Sequence, residues 1–299
     1  MVTAMPLDEF IIQVFCLMDD LYKKIVRTPL RQRGPGPKMT DSEVITIEIV
    51  GEWLGFDDDK AIWLYTQQHW LDFFPDLPDR SRFTTQAANL WAIKQLLHQA
   101  LLLQLDYQPN GIHLIDGFPI QVCHLTRASR SRVFKEDSEF GYCASKDRKY
   151  YGFQAHLLTD VRGIPVDISI TAANVDERDV AYELVKNIKG LLIGDKGYIR
   201  PQLSQDLAIQ GINLQTALRK NMRDHRPKPL VKKLMKVRRK IESTIGQLEH
   251  YFNIEKCRCR DVFHLTGRIA RKMLSYTVGA YLNQKAGCPL TQFENLISD

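Results

Sequence analysis

The chain has 299 residues, of which 44% are hydrophobic and 25% charged, enough for two domains or for one large core with a smaller partner. No stretch approaches the roughly 20 apolar residues of a membrane span, and Asp8, Glu9, Asp19 and Asp20 interrupt the N-terminus where a secretory leader would run basic and then apolar, so a cytoplasmic protein without membrane contact is expected. The net charge of +6 is unevenly spread: residues 1–100 carry ten Lys/Arg against fourteen Asp/Glu, net −4, which leaves the remainder at net +10 and points to a polyanionic partner for the later two-thirds.

Six cysteines stand at 16, 123, 143, 257, 259 and 288 with no CxxC pair, so disulfides are not expected. Cys257-Arg-Cys259 with His264 matches no usual zinc spacing.

In chain order, residues 7–27 place Phe10, Ile11, Val14, Phe15, Met18, Leu21 and Ile25 at helical spacing. A basic, Gly/Pro-rich connector follows (RQRGPGPKM), and then Thr40 and Glu43 form a capping box for a second helix. A third helix is predicted from 58 to 70 and a fourth from 81 to 105, which makes the N-terminal region all-helical. Ser81-Arg82-Phe83-Thr84-Thr85-Gln86 suits either a helix-turn-helix entering a DNA groove or a polar face turned to water. Tyr107-Gln-Pro-Asn-Gly111 marks a boundary, giving expected domains at 1–107 and 108–299, the second including a C-terminal helix.

Ile112 to Val122 alternates as a strand, with Ile112, Leu114, Phe118, Ile120 and Val122 in one row and Asp116 in the middle of it. An ionised carboxylate on such a face is normally paired, protonated or metal-bound, or else caps a nearby amide. Gly117 and Pro119 would permit a bulge beside it. An irregular basic segment then spans 124–149. A hairpin follows, with strands at 151–159 and 164–170 around an Asp160–Gly163 turn.

Asn174 is the expected cap of the next helix, with Glu177 three residues on. Leu191-Leu-Ile-Gly-Asp195 reads as a buried central strand ending in an acid. A short helix at 201–210, a strand at 212–218 and a long helix at about 231–252 complete the order. Three antiparallel strands followed by alternating helix and strand make an α/β mixed sheet with flanking helices, the ribonuclease H-like topology.

Asp116 lies on the first strand, and Asp195 at the carboxyl end of a later parallel one, where an open α/β sheet places its ligand sites. Glu242 borders the apolar stripe of the long helix, with Glu249 as its rival on nearly the same face; either could instead be a solvated residue, Glu242 paired with Arg238 four residues before it. Three convergent carboxylates repel unless a cation offsets them. An all-oxygen set suits Mg²⁺, with Mn²⁺ as an alternative, in a two-metal arrangement for displacement at phosphorus. Residues 219–240 hold eleven Lys/Arg, and Arg127, Arg130, Arg132, Lys149, Lys196, Arg219, Lys220, Lys232, Lys236, Arg238 and Arg239 are expected to track a DNA backbone.

At this point the sequence resembles the DDE transposases of bacterial insertion sequences, within the ribonuclease H-like superfamily. The resemblance spans most of 108–285 and is carried by LIDGFPI, YYGFQAHLLTDVRGIP, TAANVDERD, LLIGDKGY and RRKIESTIGQLEHYF. It implies catalytic and metal-binding roles for Asp116, Asp195 and Glu242. It also implies cleavage at the element's ends, transfer of a 3′-hydroxyl into target DNA, a homodimer on double-stranded DNA (terminal inverted repeats and target), and a place at the bacterial nucleoid. The family's helix often reads Tyr-x-x-Arg-x-x-x-Glu-x-x-x-x-x-x-Lys; here Met235 and Glu249 stand at the Tyr and Lys positions. Two other classes stay open on the residues alone: a ribonuclease H-like nuclease or resolvase, and a DNA-binding protein without catalysis.

Overall fold

The computed structural model describes residues 4–28, 30, 31, 34, 36–143, 146–256 and 258–298. In chain order the elements are β1 (Met5–Pro6), α1 (Leu7–Ile25), α2 (Asp41–Trp53), α3 (Asp59–His69), α4 (Arg80–Asn89), α5 (Trp91–Gln104), β2 (Ile112–Cys123), α6 (Leu125–Ala128), β3 (Glu139–Cys143), β4 (Arg148–Asp160) and β5 (Pro165–Ala172). They continue with α7 (Glu177–Leu184), β6 (Gly190–Gly194), a 3₁₀ turn at Lys196–Tyr198, α8 (Pro201–Ile209), β7 (Ile212–Thr216), α9 (Lys228–Phe252), α10 (Val262–Lys285) and β8 (Ile297–Ser298).

The chain forms two compact units. One holds the residues up to Leu105 with His250–Ile254 and everything from Arg258; the other holds Asp106–Glu249 with Glu255 and Lys256. The C-terminal helix therefore does not go with the sheet, as the 108–299 division expected. The reason is electrostatic as well as apolar. In the helical unit Arg271 of α10 donates to Glu52 (2.6 Å), Glu48 (3.1 Å) and Asp59 (2.7 Å), while Lys272 donates to Glu52 (2.7 Å) and to the Phe252 carbonyl (2.6 Å). Lys94 of α5 closes the set on Glu48 (2.7 Å) and the Ala87 carbonyl (2.9 Å). Apart from the half-buried Asp59 these charges are buried, so they persist only because each meets a partner. Burial acts to raise the Asp59 carboxyl, but Arg271 and Arg268 outweigh it and hold the group low.

α2 is buried at Ser42 and from Val44 through Glu52, so it is the centre of this bundle rather than an amphipathic surface helix. Its capping box forms as expected: Thr40 Oγ1 accepts from the Glu43 amide, and Glu43 Oε2 accepts from the Thr40 amide at 2.7 Å. The single helix predicted over 81–105 is instead two, parted at Leu90 and opened by an Asp79 cap. All four tryptophans (53, 63, 70 and 91) lie in this unit, so indole fluorescence reports its unfolding. Thr40→Ala is expected to cost about 1 kcal/mol, read as a lower urea midpoint with an unchanged slope.

In the second unit the sheet order is β3-β4-β2-β6-β7, with β5 also paired to β4. β2 and β4 are antiparallel and so are β4 and β5, whereas β6 is parallel to β2 and β7 to β6. Gly152 faces Gln121 on one side and Glu139 on the other, so β3 and β5 share the outer side of β4 end to end. The path β5-β4-β2-β6-β7 is the mixed ribonuclease H-like sheet expected from the sequence.

Four details differ from expectation. Ile115 is as fully buried as Leu114, while Ile112 is 37% exposed, because β2 is a central strand covered on both faces. The β2–β4 ladder runs unbroken through Gly117 and Pro119, and its register shift lies at Gln121/Cys123. The basic segment 124–149 contains β3, and Lys149 already belongs to β4. The cap of α7 is Asp176, whose side chain accepts from the Arg178 amide, not Asn174. Cys257, half of the Cys-Arg-Cys pair, lies outside the described residues.

Candidate active site

Strand register brings the two aspartates together. β2 and β6 pair in parallel with Leu114 opposite Ile193, and the pairing ends there. Two residues further on, Asp116 and Asp195 occupy equivalent positions, so their side chains leave the same face where the strands part. Each has one oxygen tied to its own turn: Asp116 Oδ1 accepts from the Gly117 amide and Asp195 Oδ1 from the Gly197 amide, both at 2.9 Å. A side chain at Gly117 would meet Gln154 Nε2 at 2.7 Å, so a larger residue there would displace the Gln154 amide beside the cleft.

The long helix supplies the third acid. α9 buries Leu234, Ile241 and Leu248 and presents Arg238, Glu242, Ile245 and Glu249, spaced by three and four residues, to one cleft. Thr244 Oγ1 holds the helix to the β4–β5 turn by donating to the Gly163 carbonyl at 2.7 Å. Gly163 has φ +87°, and a side chain there would start 2.8 Å from Thr244 Oγ1.

At the centre sits the Arg238 guanidinium. Its Nη2 is 3.3 Å from Asp116 Oδ2 and 3.7 Å from Asp195 Oδ2, and its Nη1 donates to Glu242 Oε1 at 2.6 Å. One oxygen from each acid thus faces a single cation. The acids form a gradient from floor to rim, with side chains 17% exposed at Asp116, 34% at Asp195 and 49% at Glu242. Burial pushes the Asp116 carboxyl up to about 6 against the pull of Arg238 and the Gly117 amide, and the charges of Asp195 and Glu242 push the same way.

Glu249 shares this cleft but not this cluster. Lys146 Nζ lies 3.2 Å from Glu249 and donates to Glu255 at 2.6 Å. Burial and the neighbouring Glu249 carry the Glu255 carboxyl up to about 7.

The cleft encloses about 840 Å³. Of the bases expected to meet DNA, Lys196, Arg219, Lys220 and Arg238 line it. Arg127, Arg130, Arg132, Lys149, Lys232, Lys236 and Arg239 are exposed on the same unit but do not line it. Two features were missed in the sequence. Lys146 stands in the sequence as one charge within the basic segment 124–149. Glu177, at the first position of α7, lines the cleft, and burial together with Asp116, Asp195 and Asp176 carries its carboxyl up to about 7. The TAANVDERD motif, which ends a strand and opens a helix with an acid, was the available signal.

The profile of the family described as Transposase DDE domain matches residues 106–262, more than half of the chain and all of the acids just described. The chain belongs to the DDE transposase family. The comparison with curated proteins gives no match. Among solved structures, a cryo-EM structure of the piggyBac transposase synaptic complex with hairpin DNA is 12% identical at a TM-score of 0.49, over 97% of this chain and 76% of that one. Among the described residues of this DDE transposase, no helix is long and apolar enough to cross a membrane.

Proposed function

We propose that this DDE transposase cleaves DNA at the ends of an insertion sequence and joins the freed 3′-hydroxyl to target DNA. In this reading Asp116, Asp195 and Glu242 hold divalent magnesium. The supporting observation is the convergence of one oxygen from each acid on a single guanidinium. The donor set fits the ion: three carboxylates, with no thiol or imidazole among them, suit a hard cation such as Mg²⁺ or Mn²⁺. Among the described residues no three His, Cys, Asp or Glu side chains stand ready to hold one ion, and Arg238 has the central place. Loading the site therefore requires the guanidinium to withdraw.

When bound, a pair of such ions supplies positive charge that makes a water or hydroxyl more acidic and offsets charge building on the phosphate. The chain supplies position. The Gly117 and Gly197 amides keep the two aspartates in fixed rotamers, which lowers the cost of ordering the site. Lys196, Arg219 and Lys220 hold DNA phosphates across the cleft, and a displaced Arg238 adds a planar fork suited to a phosphate. Two element ends must be handled together, which calls for a homodimer on DNA, working at the bacterial nucleoid.

The decisive experiment supplies a duplex ending in the sequence that flanks the gene, with a free 3′-hydroxyl, together with a supercoiled plasmid and Mg²⁺. Covalent joining of the two is the expected result. Cleavage without joining would make the chain a nuclease or resolvase, and binding without either would leave a DNA-binding protein. Arg238→Gln is expected to bind Mn²⁺ several-fold tighter than wild type by calorimetry, since the competing cation is gone, and to bind DNA more weakly. An affinity equal to or below wild type would refute the view of Arg238 as the ion's placeholder.

A further inference from the structure

The cleft has a second charged cluster that the chemistry above leaves unused. Lys146, in the turn between β3 and β4, places Nζ 3.2 Å from Glu249 of α9 and 2.6 Å from Glu255, just beyond that helix. All three side chains line the cleft together with Lys196, Arg219 and Lys220. The two carboxylates also stand within hydrogen-bonding reach of one another, which like charges tolerate only with a cation or a shared proton between them. Here the cation is Lys146.

Glu249 and Lys146 are the charged groups that act on Glu255. β2 meets the same stretch through the uncharged Gln121, whose amide donates to the Glu255 carbonyl at 3.1 Å, and Lys256 is exposed. In the turn, Cys143 ends β3 and Asp147 accepts from the Tyr142 hydroxyl.

The cluster can open. Its side chains are partly exposed, so the ion pairs are weak, and a DNA phosphate offers the ammonium a partner whose capture also releases counterions. Once Lys146 leaves, two carboxylates face each other and the incoming polyanion with no cation between them. One proton from solvent removes that repulsion and leaves the pair with a single negative charge, the same as the closed cluster carried. Burial and Glu249 already carry the Glu255 carboxyl up to about 7 with Lys146 in place, and loss of the lysine pushes it in the same direction.

We propose that Lys146, Glu249 and Glu255 form a proton-coupled clasp, in which a DNA phosphate draws Lys146 away and the two glutamates take up one proton from solvent. The clasp rests on the DNA reading above and adds to it a phosphate contact and a dependence on pH. Since the complex holds the proton more tightly than the free chain, DNA affinity is highest below about pH 7 and falls as pH rises past it, by up to about tenfold per unit.

The test is calorimetric titration of the full chain with duplex DNA at about pH 8, without divalent ions, in buffers of differing ionisation enthalpy. Wild type is expected to take up protons on binding. Asp116 and Glu177 also titrate near neutrality, so the difference from Glu255→Gln carries the assignment. That variant should take up about one proton fewer, bind several-fold tighter at this pH and lose most of its pH dependence. Glu249→Gln should behave alike. Lys146→Met should bind more weakly at about pH 6 and lower the salt slope by about 1. Wild-type proton uptake in both glutamine variants, or an unchanged salt slope in Lys146→Met, would overturn the clasp and leave DNA binding standing. No binding of duplex by wild type at any pH would overturn the function above and the clasp with it.

Discussion

Asp116→Asn, Asp195→Asn and Glu242→Gln are each expected to lower Mg²⁺-dependent cleavage and joining by on the order of 10³-fold or more. The amide keeps the volume of the acid but removes the charge that, in the proposed function, retains a divalent ion. Several kcal/mol of charge stabilisation at about 1.36 kcal/mol per decade gives that size. DNA affinity should stay within a few-fold, because the function proposed above assigns the phosphate contacts to Lys196, Arg219 and Lys220, which line the cleft, and to the exposed bases of the same unit. Glu249→Gln is the internal control. Its carboxylate is engaged with Lys146 beside Glu255, so a loss within about tenfold is expected. A labelled-end joining assay with fluorescence anisotropy separates the two quantities. Wild-type joining by Glu242→Gln together with a dead Glu249→Gln would transfer the third role to Glu249.

The second large effect is expected far from that chemistry. Arg271→Met should destabilise the helical unit by about 3–5 kcal/mol, because it removes the buried cation that Glu48, Glu52 and Asp59 share and leaves Glu48 only Lys94 and Glu52 only Lys272. Lys94→Met should cost less, since Glu48 still meets Arg271. Urea unfolding followed by tryptophan fluorescence reads this unit alone. The double variant Arg271→Met with Glu52→Gln should recover part of the loss, and the coupling energy gives the worth of that contact. A cost under about 1 kcal/mol for Arg271→Met would mean the network is solvated rather than buried.

The helical unit shows where residue patterns mislead. Glu48 and Glu52 on α2 stand among Val44, Ile45, Ile47 and Val50, and nothing local says that their partners lie over 200 residues later, at Arg271 and Lys272. A single-helix pattern puts charge toward water, and only a second helix bringing opposite charge makes burial tolerable. The same limit hid the break at Leu90, since Ser81 through Leu105 keeps helical spacing on both sides of it. It also hid β3, whose Glu139–Cys143 run is too polar to stand out from a basic loop.

The sheet was the opposite case. Alternation in 151–159, the apolar run at 191–194 and the turn at 160–163 are short-range signals, and short-range geometry dictates the strands they form. Of the acids, Asp116 and Asp195 stood out because each interrupts or ends an apolar strand. Periodicity alone does not separate Glu242 from Glu249, since seven residues on a helix return to almost the same face, and it is the resemblance that names Glu242.

Sequence alone therefore determined most of the elements and their order, apart from β3 and the break at Leu90, together with the capping box at Thr40 and the residue types of the acids, all of which depend on periodicity and local chemistry. Tertiary structure decided which charges meet. It set Asp116 across from Asp195 through the Leu114–Ile193 register, gave Glu242 rather than Glu249 to Arg238, brought Glu177 to the cleft, and assigned α10 to the helical unit. The physical reason is that a charged side chain's energy depends on what lies within a few ångströms of it. For these residues that neighbour is supplied by a distant part of the chain.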